Sequence, residues 1–141
     1  MEAAELPDDA RFDPLREMQA TPLFEVLGLR FSGAGEGWAE VELASGPNTE
    51  NLYGIVHGGV WLTLADAAMG AAISTVVPAG TAVITVQSEF RWLRALRHPS
   101  MRARGEVLRR GRSVNHVTVE LRDPDGAVLA QGSGSYVERA R

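Results

Sequence analysis

The stretch HGGVWLTLADAAMGAAISTVV, His57 to Val77, decides how the rest of the chain is read. Two glycines open it, then about 20 residues pass with no proline and a single charge, Asp66. The run predicts one long helix from Gly58 to Val77, apolar nearly all round and therefore buried rather than laid on a surface. Thr63, Asp66, Gly70 and Ser74 recur at helical spacing and form one small or polar stripe along it. An ionised carboxylate is costly to bury without donors or a counter-charge, and no Arg or His adjoins Asp66 in the sequence. A reactive carboxylate is the reading that accounts for it. The length would suit a membrane span, but Asp66, the Gly and Ala content and the strand-rich remainder argue against one.

Outward from this helix the chain reads as strands. On the N-terminal side, Phe12 to Gln19 predicts a short helix with Asp13 as N-cap and Pro14 at its first position. TPLFEVLG (21–28) predicts a second turn of helix, and Leu29 to Ser32 a strand before the turn-prone GAGEG. WAEVEL (38–43) alternates with the period of a half-buried strand. On the C-terminal side, strands are expected over Thr81–Leu93, Met101–Arg109, Ser113–Arg122 and Ala127–Val137, the last two joined by the turn DPDG (123–126). In the first of these, Ala82, Ile84, Val86, Phe90 and Trp92 are expected on one face, with Thr85, Gln87, Glu89 and Arg91 on the other. One buried helix followed by a run of long antiparallel strands is an α+β plan, best met by a curved sheet wrapped around the helix.

The 141 residues suit one domain, with an ordinary globular balance of 45% hydrophobic and 23% charged residues. There is no cysteine, which excludes disulfides and thiolate chemistry. The N-terminus MEAAELPDDARFDPL is acidic and lacks the apolar core of a secretory signal, so a cytoplasmic location is expected. The net charge of −4 is unevenly spread: residues 1–90 carry 3 Arg against 13 acids, and residues 91–141 carry 11 Arg against 5. Eight of those Arg lie between Arg91 and Arg112. Arg forks suit phosphate, but they suit a solvated strand edge equally, and the acidic first half speaks against nucleic acid.

The chemistry concentrates at the helix start. A helix N-terminus offers unpaired N–H groups at the positive end of a dipole, and glycine lets a ligand oxygen come close to them. His57-Gly58-Gly59 can therefore polarise a carbonyl in the manner of an oxyanion hole. Gly58 and Asp66 stand eight positions apart, about 12 Å along a helix, so they cannot meet one reacting carbon within one chain. A site shared across a symmetric homodimer satisfies both. Other chemistries lack their signatures. There is no G-x-S-x-G, and His57, His98 and His116 have no metal-ligand spacing, so neither a metal nor another cofactor is expected. Within its strand, His116 reads as a structural histidine, and Glu89 as a surface carboxylate salt-bridged to Arg91.

The run N-L-Y-G-I-V-H-G-G-V-W-L-T-L-A-D, Asn51 to Asp66, resembles the signature of hotdog-fold acyl-CoA thioesterases of the phenylacetate-pathway type. The likeness extends from about Leu23 to Val137 and takes in E-F-R-W-L-R, R-R-G-R and D-G-x-x-x-A-x-G. It implies a single hotdog domain over residues 23–141 behind a partly helical N-terminal extension, residues 1–22. It implies that the Gly58 N–H polarises a thioester carbonyl, that the Asn51 amide holds that carbonyl or the attacking water, and that Asp66 is general base or nucleophile. Thr85 would orient the water, and His57 would shape the turn. Gly59 and Trp61 would border the acyl group, although Trp61 suits a dimer core slightly better. Arg110, Gly111 and Arg112, with Arg91, fall where coenzyme A would be held. Coenzyme A enters as part of the substrate, and the partners implied are an acyl-CoA and further copies of the chain, as a dimer or a dimer of dimers. The family strand often reads Leu-Arg-Pro, whereas here Leu93-Arg94-Ala95 delays proline to Pro99. A non-catalytic acyl-CoA-binding module is the alternative on the same fold, and a hydratase would want an Asp–His pair placed differently.

Overall fold

The long helix lies so close to the sheet that one strand residue opposite it has to be glycine. A Cβ on Gly105 would stand 2.5 Å from the carbonyl oxygen of Ala68 and 2.9 Å from the Met69 Cα, distances no real Cβ tolerates. The computed structural model describes residues 4–141, and the first three residues of the expected N-terminal extension lie outside them. Two short helices, α1 (Asp13–Gln19) and α2 (Pro22–Leu27), precede the hairpin β1 (Leu29–Gly35) and β2 (Trp38–Ala44). The long helix α3 (Gly58–Ser74) follows, then β3 (Thr81–Trp92), β4 (Ser100–Arg110), β5 (Asn115–Arg122) and β6 (Val128–Ala140).

All six strands form one antiparallel sheet in the order β1-β2-β4-β5-β6-β3. β3 follows α3 in the chain, yet it lies at the far edge and pairs only with β6. α3 packs across β2, β4, β5 and β3. Its buried face (Trp61, Leu64, Ala65, Ala68, Met69, Ala72 and Ile73) meets the alternating inward residues of the sheet, Val41, Leu43, Met101, Ala103, Val117, Val119 and Leu121. Burying each large aliphatic side chain contributes roughly 1.5–3 kcal/mol.

Three local readings are corrected. The start of α1 is set by a preceding 3-10 turn (Ala10–Phe12), capped by the Asp9 carboxylate on the Arg11 N–H; Asp13 is already helical. α3 ends at Ser74, where the Thr75 hydroxyl donates to the Ala72 carbonyl and accepts from the Gly37 N–H. Finally, α3 is not buried all round, because Thr63, Asp66, Ala67 and Gly70 keep one stripe partly open. α1 and α2 share the same core through Phe12, Leu15 and Phe24, and the Gln19 amide clips β1 by bonding both Leu29 O and Phe31 N.

Candidate active site

Val86 is the residue that puts Thr85 into the site. The β3–β6 register runs Thr85 opposite Tyr136 and then Gln87 opposite Ser135, so Val86 is the extra residue of a β-bulge. The bulge shifts the side-chain phase by one. Ile84, expected to share a face with Phe90 and Trp92, lies on the opposite one, while Val83 and Thr85 turn toward α3. Val83 and Phe90 both pack against the core on the helix side.

Asp66 sits on the open stripe of α3, half-buried, and two hydroxyls converge on one of its oxygens. The Tyr136 hydroxyl donates to Oδ1 at 2.7 Å and the Thr85 hydroxyl donates to the same atom at 2.9 Å. Oδ2 receives no donor among the described residues, which leaves it free to take a proton or to attack. Tyr136 is 1% exposed, and burial, with the Asp66 charge beside it, pushes its phenol above the usual tyrosine range. It therefore stays protonated, a permanent donor at neutral pH. Sequence reading missed Tyr136. The signal available was a lone tyrosine in an otherwise small-residue strand, GSGSYV, that a buried carboxylate would need as a donor.

The N-terminus of α3 presents the N–H groups. His57 caps the helix with its side chain: Nδ1 accepts from the Gly59 N–H at 2.9 Å. The Val60 and Trp61 N–H groups turn back to the His57 carbonyl. The Gly58 N–H has no acceptor among the described residues. Gly59, expected to border substrate, thus has its N–H committed to His57, and His57 is a cap in geometry. Gly58 opens on a cleft of about 370 Å³ lined by Asn51, Ile55, Val56, Trp61, Trp92 and Leu93–Ala95. Asn51 Oδ1 accepts from the Tyr53 and Ile55 N–H groups at 2.9 and 3.3 Å and so folds the loop, which leaves its NH2 group for the cleft. Trp61 is 6% exposed within one chain, so it is a core residue of the protomer and cleft wall rather than dimer core.

The arginines are dispersed. Arg110 is tied to Glu138 by two hydrogen bonds of 2.9 and 3.2 Å, and Glu138 also accepts from Asn115. These contacts hold the Glu138 carboxyl below the usual range. Gly111 and Arg112 lie in the turn between β4 and β5. Arg91 projects from the outer face of the sheet, away from Asp66. There it lines a groove of about 620 Å³ with Arg102, Arg104, Arg122, Glu40, Glu89, Glu106 and Glu120. Glu89 makes no ion pair among the described residues, contrary to the expected bridge to Arg91, although Arg104–Glu106 and Arg122–Glu120 pair at the same spacing on the same sheet face. His116 is exposed on that face, with Nδ1 3.4 Å from the Ser135 hydroxyl. His98 Nε2 stands 3.1 Å from Asp125 and 3.6 Å from Asp123, a grouping of potential ligands that sequence spacing did not reveal.

This fold has known counterparts. The model of the Thioesterase superfamily matches residues 53–130 of the chain, more than half of its 141 residues. The chain belongs to that superfamily: it has the hotdog fold and is an enzyme of the thioester hydrolase class. A protein of Saccharolobus solfataricus, described as an inferred esterase, is 28% identical over 129 residues, covering 88% of this chain and 91% of its own length. The crystal structure of a thioesterase from Haemophilus influenzae superposes with a TM-score of 0.83 at 22% identity, covering 92% of this chain and 90% of that one. The PaaI protein of the E. coli phenylacetic acid degradation operon gives 0.82 at 20% identity, covering 93% and 94%.

Proposed function

We propose that this protein hydrolyses an acyl-CoA thioester to the free acid and coenzyme A, at a site built between two copies of the chain. The observation that carries the reading is the state of Asp66, whose Oδ1 is held by two hydroxyls while Oδ2 stands free on an open helix stripe. The Gly58 N–H polarises the thioester carbonyl. Asp66 Oδ2 takes a proton from water as the water oxygen bonds to the carbonyl carbon, and the electron pair moves to the carbonyl oxygen. Collapse of that intermediate breaks the C–S bond, and the proton passes from Asp66 to the departing thiolate. Direct attack by the same Oδ2, giving a mixed anhydride that water then opens, uses the same atom and the same donors. Thr85 orients the water, and the Asn51 amide lies beside the carbonyl. The walls formed by Trp61 and Trp92 suit an aromatic or medium-chain acyl group, with Gly59 at its rim.

Dimerisation is supported by two features. Gly58 and Asp66 are separated by two turns of one helix, about 12 Å. β3 is a 12-residue edge strand with Ile84 and Val86 exposed, an open template for pairing with a second β3. Four Arg and four Glu on the outer sheet face make that surface self-complementary, which suits a dimer of dimers. Arg112 and Gly111 are the proposed nucleotide contacts, since Arg110 is already paired.

The test is Asp66→Asn. Release of coenzyme A from a panel of acyl-CoAs is expected to fall by at least about 100-fold in kcat, while calorimetry shows the acyl-CoA still bound. Near-normal turnover in this variant would reject the mechanism.

A further inference from the structure

Beside Gly58 stands a second donor that neither the sequence motif nor the helix accounts for. A Cβ on Gly58 would meet the indole of Trp92 at Nε1 (3.6 Å), Cε2 (3.8 Å) and Cζ2 (3.9 Å). The indole nitrogen is thus the atom of that ring nearest the space that glycine leaves open. A Cβ on an α-helix points back toward the N-terminus, the same side on which the first N–H groups emerge. The Gly58 N–H and the Trp92 N–H therefore border one notch, and both line the same cleft. Trp92 is 50% exposed, and its indole N–H, a donor only, has no hydrogen-bond acceptor among the described residues and is open to a ligand. The ring plane is set by Phe90, which meets it edge to face at 4.7 Å between centroids and 84° between planes. Trp92 ends β3, and the Leu93 and Arg94 N–H groups then turn to the Leu129 carbonyl, anchoring the backbone behind it.

We propose that the Trp92 indole N–H is the second donor of the oxyanion site whose first donor is the Gly58 N–H, which makes Trp92 a catalytic residue. This rests on the thioester-hydrolase reading of the Gly58 cleft. As the carbon–oxygen bond to water forms, the carbonyl oxygen gains a full negative charge and takes a short hydrogen bond from each of the two N–H groups. When the C–S bond breaks, the charge leaves with the thiolate sulfur and both hydrogen bonds relax. A fixed pair of donors needs no reorganisation at that moment, which is where such sites gain their effect. The Asn51 NH2 group is then left to hold the water. The N–H of a rigid ring held by Phe90 acts on the developing charge and little on the ground-state thioester, so its signature is in kcat and not in KM.

The experiment replaces Trp92 by β-(3-benzothienyl)alanine, which keeps the ring shape and exchanges the N–H for sulfur, alongside Trp92→Phe and Asp66→Asn, each assayed as full-length protein with an acyl-CoA that the wild type hydrolyses. Expected for the benzothienyl variant is a loss of about 10- to 100-fold in kcat, with KM within about 2-fold of wild type; Trp92→Phe loses at least as much. A benzothienyl variant with wild-type kcat, beside an inactive Asp66→Asn, overturns the assignment of Trp92 and leaves the hydrolytic site standing. A benzothienyl variant altered in KM alone makes Trp92 a wall of the acyl pocket and overturns it as a donor. Full turnover in both the benzothienyl and the Asp66→Asn variants overturns the site as a whole.

Discussion

Tyr136 shows how a carboxylate is given one working oxygen. Its hydroxyl and that of Thr85 both end on Asp66 Oδ1, so the two oxygens of one carboxylate are made unequal. A buried hydrogen bond to a charged acceptor contributes about 1.5–3 kcal/mol. Tyr136→Phe keeps the ring in its buried slot and removes that bond. Chemical denaturation is expected to show a loss of about 1–3 kcal/mol, and steady-state assays a fall in kcat smaller than that of Asp66→Asn. An unchanged kcat would mean that the orientation of Asp66 is set without the phenol. Asp66, Gly58 and His57 were legible in the sequence because their meaning is local: a turn, a helix start and a charge out of place. Tyr136 lies 70 residues from Asp66, and no spacing rule reaches across a sheet register. The same holds for His98 and Asp123, neighbours only because the end of β5 folds back beside the loop after β3.

At the scale of elements, all six strands were expected from the sequence, and the failure of alternation within β3 has a specific cause. The bulge at Val86 adds a residue that no hydrophobic pattern marks, since a β-branched residue there reads as another inward position. Without the bulge, with Val86 paired in regular alternation, Thr85 would stay on the outer face with Glu89 and Arg91. The helix–sheet contact at Gly105 was equally silent in the sequence, because a glycine inside a strand signals only that something comes close. Here what comes close is helix backbone, which cannot swing away as a side chain can. Gly105→Ala is expected to destabilise the fold by about 1–3 kcal/mol in urea unfolding, as α3 is lifted from β4. A variant as stable as wild type would show that the helix has room to slide.

For the molecule as a whole, the question is whether one chain can hold a complete site. The Gly58 cleft lies at the N-terminus of α3 and the Asp66 hydroxyl pair at its middle, and neither place carries the other's chemistry. Two inactive variants should therefore restore each other. Mixing unfolded Gly58→Ala and Asp66→Asn chains and refolding them together is expected to return about a quarter of wild-type activity, because half the dimers are then mixed and each mixed dimer holds one intact site. No recovery, with mixed dimers shown by mass spectrometry, would place the full site in one protomer. The Ala side chain at position 58 meets the Trp92 ring only at ordinary contact distance, so that partner in the mixture keeps its fold.

The strand order carries one more meaning, set by time along the chain. β3 bears Thr85 and Trp92, yet among the described residues its only neighbour in the sheet is β6, the last of the six strands in chain order. β6 also brings Tyr136. A nascent chain that has released α3 and the first five strands still has β3 unpaired, Asp66 without its phenol and the cleft without its indole wall. Such long-range closure is slow to form. A chain cut before β6 has no working site. The chemistry of the site is thus assembled when β6 docks, and not before.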